Sequence, residues 1–382
     1  MKRFLFFWLA FWASLSSAGA QPLPPLPVPS APVLAAKSWL LMDANSGQIL
    51  ASHNPNERIE PASLTKMMTA YLTFAALRDG RLKMDQMLPV SVHAWRAEGS
   101  RMFLLPNTRV SVSNLLHGMI VQSGNDAAIT LAEGIAGSEG VFANMMNHEA
   151  QRLGMKDSHF ANATGLPHVQ HYSTAHDLGL LAQALIRDFP QDYPLFRIKE
   201  FRYNHITQPN RNRLLWLDPY VDGVKTGHTE EAGYCLITSG KRNGMRLISV
   251  VLGTDTDRLR SSESQKLLNY GFQFYESHRL YGKKQPIGQF TVWKGKARIV
   301  KVGVSRDLSI TIPKGSYTHV KARLISKQPL LAPVQAGQAV GKIEITLNGK
   351  PLASRALIAL KNVGMANVFG RAWDGMRLWF NQ

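Results

Sequence analysis

Cysteine is almost absent from this chain, which has only Cys235 among its 382 residues. This excludes an intrachain disulfide and any metal site built from several thiolates, so stability must come from the packed core. The composition can supply such a core, because 45% of the residues are hydrophobic and 9% are aromatic. These values exclude disorder for most of the chain. A single domain usually has ~100–200 residues, so we expect two folded domains.

The apolar run near the N-terminus is too short to span a membrane. It covers Phe4–Leu15, ~12 residues, whereas a spanning helix needs ~20. Lys2 and Arg3 precede it and Ala18-Gly19-Ala20 follows it, the pattern of a secretory signal peptide. We therefore expect an exported protein in which residues 1–20 are removed. Residues 21–33 contain six prolines and predict an extended lead-in.

Acidic residues are scarce in the last part of the chain. Residues 283–382 contain 17 basic and 3 acidic residues, a net charge of +14, whereas residues 21–282 contain 25 and 23, a net charge of +2. This change predicts two domains, at 34–282 and 283–362. A strongly basic surface suits an anionic membrane surface or cell-wall polymer. An exported protein meets little nucleic acid, so nucleic acid is not an expected partner.

Strand-like runs lie at both ends of residues 34–282, with helical patterns between them. Each end reads as a hairpin, the second with Asn243-Gly244 in its turn. We expect an α+β domain in which both hairpins join one antiparallel sheet flanked by helices. The predicted strands are Ser38–Met42, Gln48–Ser52, Tyr234–Ser239 and Arg246–Leu252, and the clearest helices are Thr65–Leu77, Val112–Gln122, Ala127–Ile135, Gly140–Leu153 and roughly Asp257–Tyr275.

The remaining sequence predicts a second fold class and a terminal helix. Residues 283–362 consist of short β-rich runs separated by glycine and proline, which predicts a small all-β sandwich. Residues 363–382 return to a helical period. Phe369, Trp373, Met376 and Phe380 fall on one face of that helix, and charged residues occupy other positions. This pattern predicts an amphipathic helix.

Three short motifs occur in a fixed order along the chain. They are Ser63-Leu64-Thr65-Lys66, Ser123-Gly124-Asn125 and Lys225-Thr226-Gly227. Each alone is a weak signal, but together they are typical of serine acyl-transfer enzymes. The alternative for the first motif is a helix-capping serine beside a solvated lysine, and the second motif could be a capped turn between two helices.

The chemistry of acyl transfer explains these residue types. Ser63 opens a helical pattern, so Lys66 lies one turn further on the same face and can reach the serine hydroxyl. The hydroxyl needs an adjacent base, and a lysine becomes one when burial and a second cation lower its pKa. Lys225 is the candidate second cation. Ser123 could relay a proton to the leaving nitrogen, and Asn125 could bind a substrate amide.

The third motif predicts how a peptide would bind. Gly227 would let an extended peptide lie against a strand edge. The backbone N–H groups of Ser63 and His228 would then form an oxyanion hole.

These motifs and their surroundings resemble the D-alanyl-D-alanine carboxypeptidases among the low-molecular-mass penicillin-binding proteins. The resemblance covers essentially the whole mature chain. It implies an enzyme of cell-wall remodelling and cell shape, without cofactor or metal. The segments that carry it are 61–69, 121–127, 210–212, 221–229, 232–234 and 260–264.

The resemblance also implies substrates and residue roles. A peptidoglycan stem pentapeptide would lose its terminal D-alanine, and β-lactam antibiotics would acylate the same serine. Ser63 would be the nucleophile, Lys66 the general base and Ser123 the proton relay. The residues that would hold the terminal carboxylate are Lys225, Thr226 and Arg211, with Arg260 as a secondary candidate.

Several alternatives remain beside this interpretation. Class A β-lactamases have Ser-Asp-Asn where this chain has Ser123-Gly124-Asn125, and they lack a basic β-domain. A catalytically silent wall-binding protein of the same fold would have no need of the intact motifs. A zinc site at His168, His171 and His176 is disfavoured by their loose spacing. Cys235 lies in the middle of an apolar strand and is expected in the core.

The resemblance gives the terminal helix a function as well. Such carboxypeptidases use a C-terminal amphipathic helix as a membrane anchor, so we expect a periplasmic protein held on the outer face of the inner membrane. Anionic headgroups would attract the basic domain and the arginines of the helix. The alternative is a terminal helix that packs on the β-domain.

Overall fold

The computed structural model describes residues 28–380. The predicted signal peptide and most of the proline-rich lead-in lie outside this range. The strands within it are β1 (Ser38–Asp43), β2 (Ile49–His53), β3 (Met87–Pro89), β4 (Arg109–Ser111), β5 (Glu200–Tyr203), β6 (Ile206–Pro209), β7 (Val221–Thr229), β8 (Gly233–Arg242), β9 (Met245–Thr254), β10 (Tyr275–Tyr281), β11 (Gly288–Thr291), β12 (Ile299–Gly303), β13 (Leu308–Pro313), β14 (Val320–Ser326), β15 (Ala339–Leu347) and β16 (Lys350–Ala359).

The described residues form nine α-helices, and the five that were predicted most clearly begin within two residues of their predicted positions. The nine are α1 (Lys66–Arg78), α2 (Val92–Trp95), α3 (Val112–Val121), α4 (Asn125–Ala136), α5 (Glu139–Leu153), α6 (Ala175–Asp188), α7 (Leu214–Leu217), α8 (Asp257–Phe274) and α9 (Val368–Phe380). Side-chain oxygens cap several of them. Ser111 accepts from Asn114 N at the start of α3, and Thr256 accepts from Leu259 N at the start of α8.

A five-stranded antiparallel sheet of order β2-β1-β9-β8-β7 forms the centre of the first domain. This confirms the predicted sheet in which the N-terminal and C-terminal hairpins pair. Helix α8 packs on one face, against β8 and β9, and α6 packs on the other, against β1 and β9. Because both faces are covered, the central strands are continuous apolar runs. Strand β7 lies at the edge of the sheet.

The second domain is all-β, as predicted. Its larger sheet has the order β11-β12-β16-β15-β14, and β10 pairs with β13 beside it. The core between them includes Val302, Ile310, Ile343 and Leu357. Strand β10 precedes the boundary predicted between residues 282 and 283, so the chain joins this β-structure directly after α8. The exact boundary stays a prediction.

The C-terminal helix exposes the aromatic side chains of Phe369, Trp373 and Trp379. Phe369 is 86% and Trp373 60% exposed, whereas Asp374 turns toward the β-domain and accepts a hydrogen bond from Lys294 N at 2.7 Å. The helix is therefore amphipathic, as predicted, and the aromatic side chains described at its surface are mostly exposed to solvent. None of the helices within residues 28–380 is long and apolar enough to cross a membrane.

Candidate active site

Ser63 lies in a 3₁₀ turn, Ala62–Thr65, that leads directly into α1. The sequence analysis placed it in the first turn of an α-helix, and the tighter turn keeps the predicted one-turn spacing to Lys66. The Lys66 side chain is buried, with only 1% of the residue exposed. Its Nζ donates to Ser63 Oγ at 2.9 Å and to the backbone carbonyl oxygen of Thr164 at 2.7 Å. The amine is thus held against the candidate nucleophile.

The loop that presents the Thr164 carbonyl is organised by one side chain. Asn162 Oδ1 accepts hydrogen bonds from Thr164 N, Thr164 Oγ1 and Gly165 N, at 3.1, 2.9 and 2.7 Å. Asn162 Nδ2 donates to Leu166 O at 3.0 Å. Sequence reasoning missed this loop, although an asparagine followed by a glycine three residues later is a turn signal.

The environment of Lys66 lowers its pKa to about 7, chiefly through burial and next through the nearby Arg211 cation. Asp126 and Glu139 act in the opposite direction. Arg211 is thus a cation that the sequence analysis did not assign to this role. The predicted second cation, Lys225, is also coupled to Lys66, because the charge of Lys66 lowers the pKa of Lys225. With a pKa near neutrality, Lys66 can carry an unprotonated amine and accept the hydroxyl proton.

Ser123 occupies the tight connection between α3 and α4, with a φ of 68°. Lys225 Nζ donates to Ser123 Oγ at 2.9 Å and to the backbone carbonyl oxygen of Thr226 at 3.0 Å. Lys225 is 3% exposed, and burial together with the charge of Lys66 lowers its pKa well below the usual value. Two lysine–serine pairs therefore meet in the same place.

The third motif lies within an edge strand that the sequence analysis did not predict. Lys225, Thr226 and Gly227 belong to β7. Glycines at 223 and 227 and a central lysine lower the β-propensity of this segment, which hid the strand. A Cβ on Gly227 would lie only 3.0 Å from the carbonyl oxygen of Pro61, so the close approach of β7 to the turn that carries Ser63 (Ala62–Thr65, the nucleophile turn) favours glycine.

Asn125 opens α4 and lines the cleft with an unpaired acceptor. Its Nδ2 donates to Glu98 O at 2.6 Å and its backbone N to Ser100 O at 2.7 Å. Its Oδ1 is buried and has no hydrogen-bond partner among the described residues. A buried, unpaired amide oxygen is costly unless a ligand supplies a donor. The site therefore offers an acceptor for an incoming N–H group.

All ten residues predicted for the site meet at one cleft of about 520 Å³. Lys66 and Lys225 lie beneath it, and the others contribute to its lining. Sequence reasoning missed Thr229, Tyr234 and the loop around Ser100. The complete lining is Ser63, Gly99, Ser100, Ser123, Asn125, Thr164, Gly165, Leu166, Arg211, Thr226, Gly227, His228, Thr229, Tyr234 and Arg260.

The two arginines of the cleft have different surroundings. Arg211 is exposed, whereas Arg260 is 4% exposed. Arg260 Nη1 donates to the carbonyl oxygen of Gly227 at 3.1 Å, and its Nη2 forms an ion pair with Asp257. Arg260 thus supports β7 from within the fold, and Arg211 is the arginine that is open to an anionic ligand.

Two other residues noted in the sequence have structural contacts. His171 is buried and shares a hydrogen bond of 2.8 Å between its Nε2 and Thr65 Oγ1, and burial lowers its pKa to about 4. His171 therefore stabilises the nucleophile turn through its hydrogen bond to Thr65. Cys235 is fully buried in β8, as expected of a core residue, and burial raises its pKa to about 11.

Comparisons with known proteins agree with this arrangement. The sequence model of the D-alanyl-D-alanine carboxypeptidase family matches residues 27–256, and that of the penicillin-binding protein 5 C-terminal domain matches residues 275–365. The chain is 44% identical over 360 residues to D-alanyl-D-alanine carboxypeptidase DacC of Escherichia coli, which covers 92% of this chain and 90% of that protein.

Solved structures are similar over most of the chain as well. Penicillin-binding protein 5 of Haemophilus influenzae superposes with a TM-score of 0.83 at 42% identity, covering 88% of this chain and 99% of that one. Penicillin-binding protein D2 of Listeria monocytogenes, in its ampicillin-bound form, gives 0.58 at 32% identity, covering 63% and 98%. With both domains matched, this chain belongs to the D-alanyl-D-alanine carboxypeptidase family of penicillin-binding proteins.

Proposed function

We propose that Ser63 and Lys66 carry out D-alanyl-D-alanine carboxypeptidase chemistry on peptidoglycan stem pentapeptides. Neutral Lys66 takes the proton of Ser63 Oγ as that oxygen attacks the carbonyl carbon of the penultimate D-alanine. The backbone N–H groups of Ser63 and His228 stabilise the oxyanion. The observation that carries this proposal is the 2.9 Å contact between the buried Lys66 amine and Ser63 Oγ.

The second lysine–serine pair completes the reaction. Ser123 gives its hydroxyl proton to the leaving nitrogen as the C–N bond breaks, and free D-alanine departs. Protonated Lys66 then passes its proton to Ser123, directly or through Lys225, whose Nζ lies 2.9 Å from Ser123 Oγ, so that Lys66 is neutral again. Water then attacks the ester on Ser63 with Lys66 again as base, and the shortened peptide leaves with a new carboxylate.

The remaining polar groups bind the substrate. Arg211 and Thr226 receive the terminal carboxylate, since an exposed guanidinium and a hydroxyl at the edge of β7 suit an anion. Asn125 Oδ1, unpaired among residues 28–380, accepts from a substrate amide N–H. The peptide lies along β7 as an added strand. A β-lactam enters the same cleft because its amide replaces the scissile peptide bond.

This proposal is tested by two measurements on the intact enzyme. Incubation with a peptide ending in D-Ala-D-Ala should release one equivalent of D-alanine per peptide. Incubation with benzylpenicillin should add the mass of one penicillin, which peptide mapping should locate on Ser63. A catalytically silent protein would give neither signal, and a β-lactamase would release hydrolysed penicillin rapidly without releasing D-alanine.

We also propose that the protein works in the periplasm, on the outer face of the inner membrane. Supporting features are the net charge of +14 in residues 283–382 and the exposed aromatic residues of α9. Aromatic side chains gain free energy by entering the headgroup region, and basic residues nearby add attraction to anionic lipids of up to ~1 kcal/mol each.

The helix begins at Val368 rather than at the predicted residue 363, because Val363 is buried in the core of the β-domain. Deletion of residues 368–382 should therefore release the protein from membranes without changing its activity. None of the residues that line the cleft belongs to α9, so D-alanine release from a soluble peptide should stay within about twofold of the full chain. The measurement is the distribution between pellet and supernatant with vesicles containing anionic lipid. If the shortened protein still sediments with the vesicles at high salt, α9 is not the anchor.

A further inference from the structure

Two carboxylates hydrogen-bond residues that line the cleft, but only one of them is neutralised. Asp257 pairs with Arg260 and with Arg213, the latter at 2.6 Å. Glu60 accepts a hydrogen bond from Thr229 Oγ1 at 3.4 Å and forms no ion pair with any residue in the described range 28–380. Glu60 is therefore an uncompensated negative charge beside a cleft whose lining contains arginine but no acidic residue.

The backbone around Glu60 is held firmly in place. Ile59 exchanges two backbone hydrogen bonds with Ser173, at 2.9 and 3.0 Å. On the other side, Pro61 directly precedes the nucleophile turn, and its carbonyl oxygen lies close to Gly227 of β7. Glu60 is half-buried between these two fixed neighbours. Its carboxylate is thus positioned in advance, at the end of the cleft marked by Thr229.

That end of the cleft lies away from the site assigned to the terminal carboxylate. Thr229 follows Thr226 by three residues in β7, a separation of about 10 Å along an extended strand. A substrate added along β7, with its terminal carboxylate at Thr226, would place the residue before D-Ala-D-Ala near Thr229. The side chain of that residue would then meet Glu60.

We propose that Glu60 binds a positively charged ammonium group on the side chain of the substrate residue that precedes D-Ala-D-Ala. This inference rests on the proposed function and adds the class of stem peptide that the enzyme prefers. An ammonium group would supply the cation that Glu60 lacks and could donate several hydrogen bonds. The charges of the cleft would then match two charges of the substrate. Arg211 would face the terminal carboxylate, and Glu60 would face the side-chain ammonium group.

The test compares two substrates that differ only in this charge. One is Nα-acetyl-L-Lys-D-Ala-D-Ala, with a free side-chain amine, and the other has that amine acetylated. With Glu60→Gln, which keeps a hydrogen-bonding partner for Thr229, kcat/KM for the free amine should fall about fivefold to tenfold. For the acetylated peptide, kcat/KM should change less than about twofold. Added salt should weaken the preference of the wild type for the free amine.

Controls separate this inference from folding and from the proposed function. Glu57→Gln removes an exposed carboxylate three residues away and should change neither substrate. Acylation of Glu60→Gln by benzylpenicillin should match the wild type, which shows an intact site. Equal losses on both peptides, or none on either, would overturn the role of Glu60 while leaving the carboxypeptidase function standing. Failure of the wild type to release D-alanine from either peptide would overturn both.

Discussion

Replacing Lys66 by methionine is expected to slow the acylation of Ser63 by about a thousandfold, the usual scale for the loss of a general base. Methionine has a similar length and suits a buried position, but it cannot accept the proton of Ser63. The measurement is the rate of covalent labelling by benzylpenicillin, with Ser63→Ala setting the zero level. A Lys66→Met protein that labels at more than a tenth of the wild-type rate would assign the base to another group.

The pH profile of the wild type gives an independent check of the same residue. Because the pKa of Lys66 is about 7, the fraction of neutral amine falls about tenfold per pH unit below that value. The acylation rate should fall by the same factor between pH 6 and pH 5. A rate that does not change over this range would contradict the assignment of Lys66 as base.

The same pKa predicts that the variant folds. An unfolded chain would hold the Lys66 proton with a pKa near 10.5, so between about pH 7 and 10.5 the unfolded state binds more protons than the native state. The free energy of unfolding therefore rises with pH across this interval, and below it the native state bears the full cost of the lowered pKa. Lys66→Met removes this cost, so the variant should unfold at a temperature no lower than the wild type.

Replacing Gly165 by alanine is expected to destabilise the enzyme by more than about 3 kcal/mol. Gly165 has a φ of 83°, and an added Cβ would overlap the carbonyl oxygen of Ala62 and lie 2.8 Å from Thr65 Oγ1. The clash is with the nucleophile turn itself. If the loop moves to relieve it, the Thr164 carbonyl leaves Lys66, so acylation should slow even in molecules that remain folded.

A matched control separates backbone strain from this clash. Gly154 has nearly the same φ, 85°, but an added Cβ would meet nothing within 4 Å. Gly154→Ala should therefore cost only about 1 kcal/mol and leave acylation unchanged. The measurements are denaturant unfolding and the penicillin labelling rate of both variants. Equal effects of the two substitutions would show that the contact between Gly165 and Ala62 is unimportant.

Side-chain patterns predicted much of the fold and nearly the whole site. The hairpins at the two ends of the first domain carry apolar runs, and such runs need a sheet covered on both faces. Ser63, Ser123 and Lys225 are far apart in sequence, but each of their motifs supplies a chemical group that acyl transfer requires. The apolar strands therefore predicted the fold, and the three motifs predicted the site, because few other structures or functions combine these residue types in this order.

The parts that were missed depend on backbone atoms and on distances in space. The carbonyl of Thr164 could belong to any residue, so no residue type identifies it as the acceptor for Lys66. Strand β7 has glycines where strands usually have β-branched residues. An added Cβ on Gly223 would overlap Tyr193 Oη, and one on Gly227 would lie 3.0 Å from the carbonyl oxygen of Pro61. The effect of Arg211 on Lys66 comes from proximity, which motif spacing does not reveal.

The pairing of β1 with β9 has a consequence for how the chain folds. Ser38 in β1 lies opposite Leu252 in β9, a partner more than two hundred residues later in the chain. Closing such a large loop is slow, and β1 has no neighbour on that side until β9 has been synthesised. We therefore expect the nascent chain to remain without its central sheet throughout most of its synthesis. If the protein is exported as proposed, this long delay would leave time for a translocation machinery to capture the unfolded polypeptide.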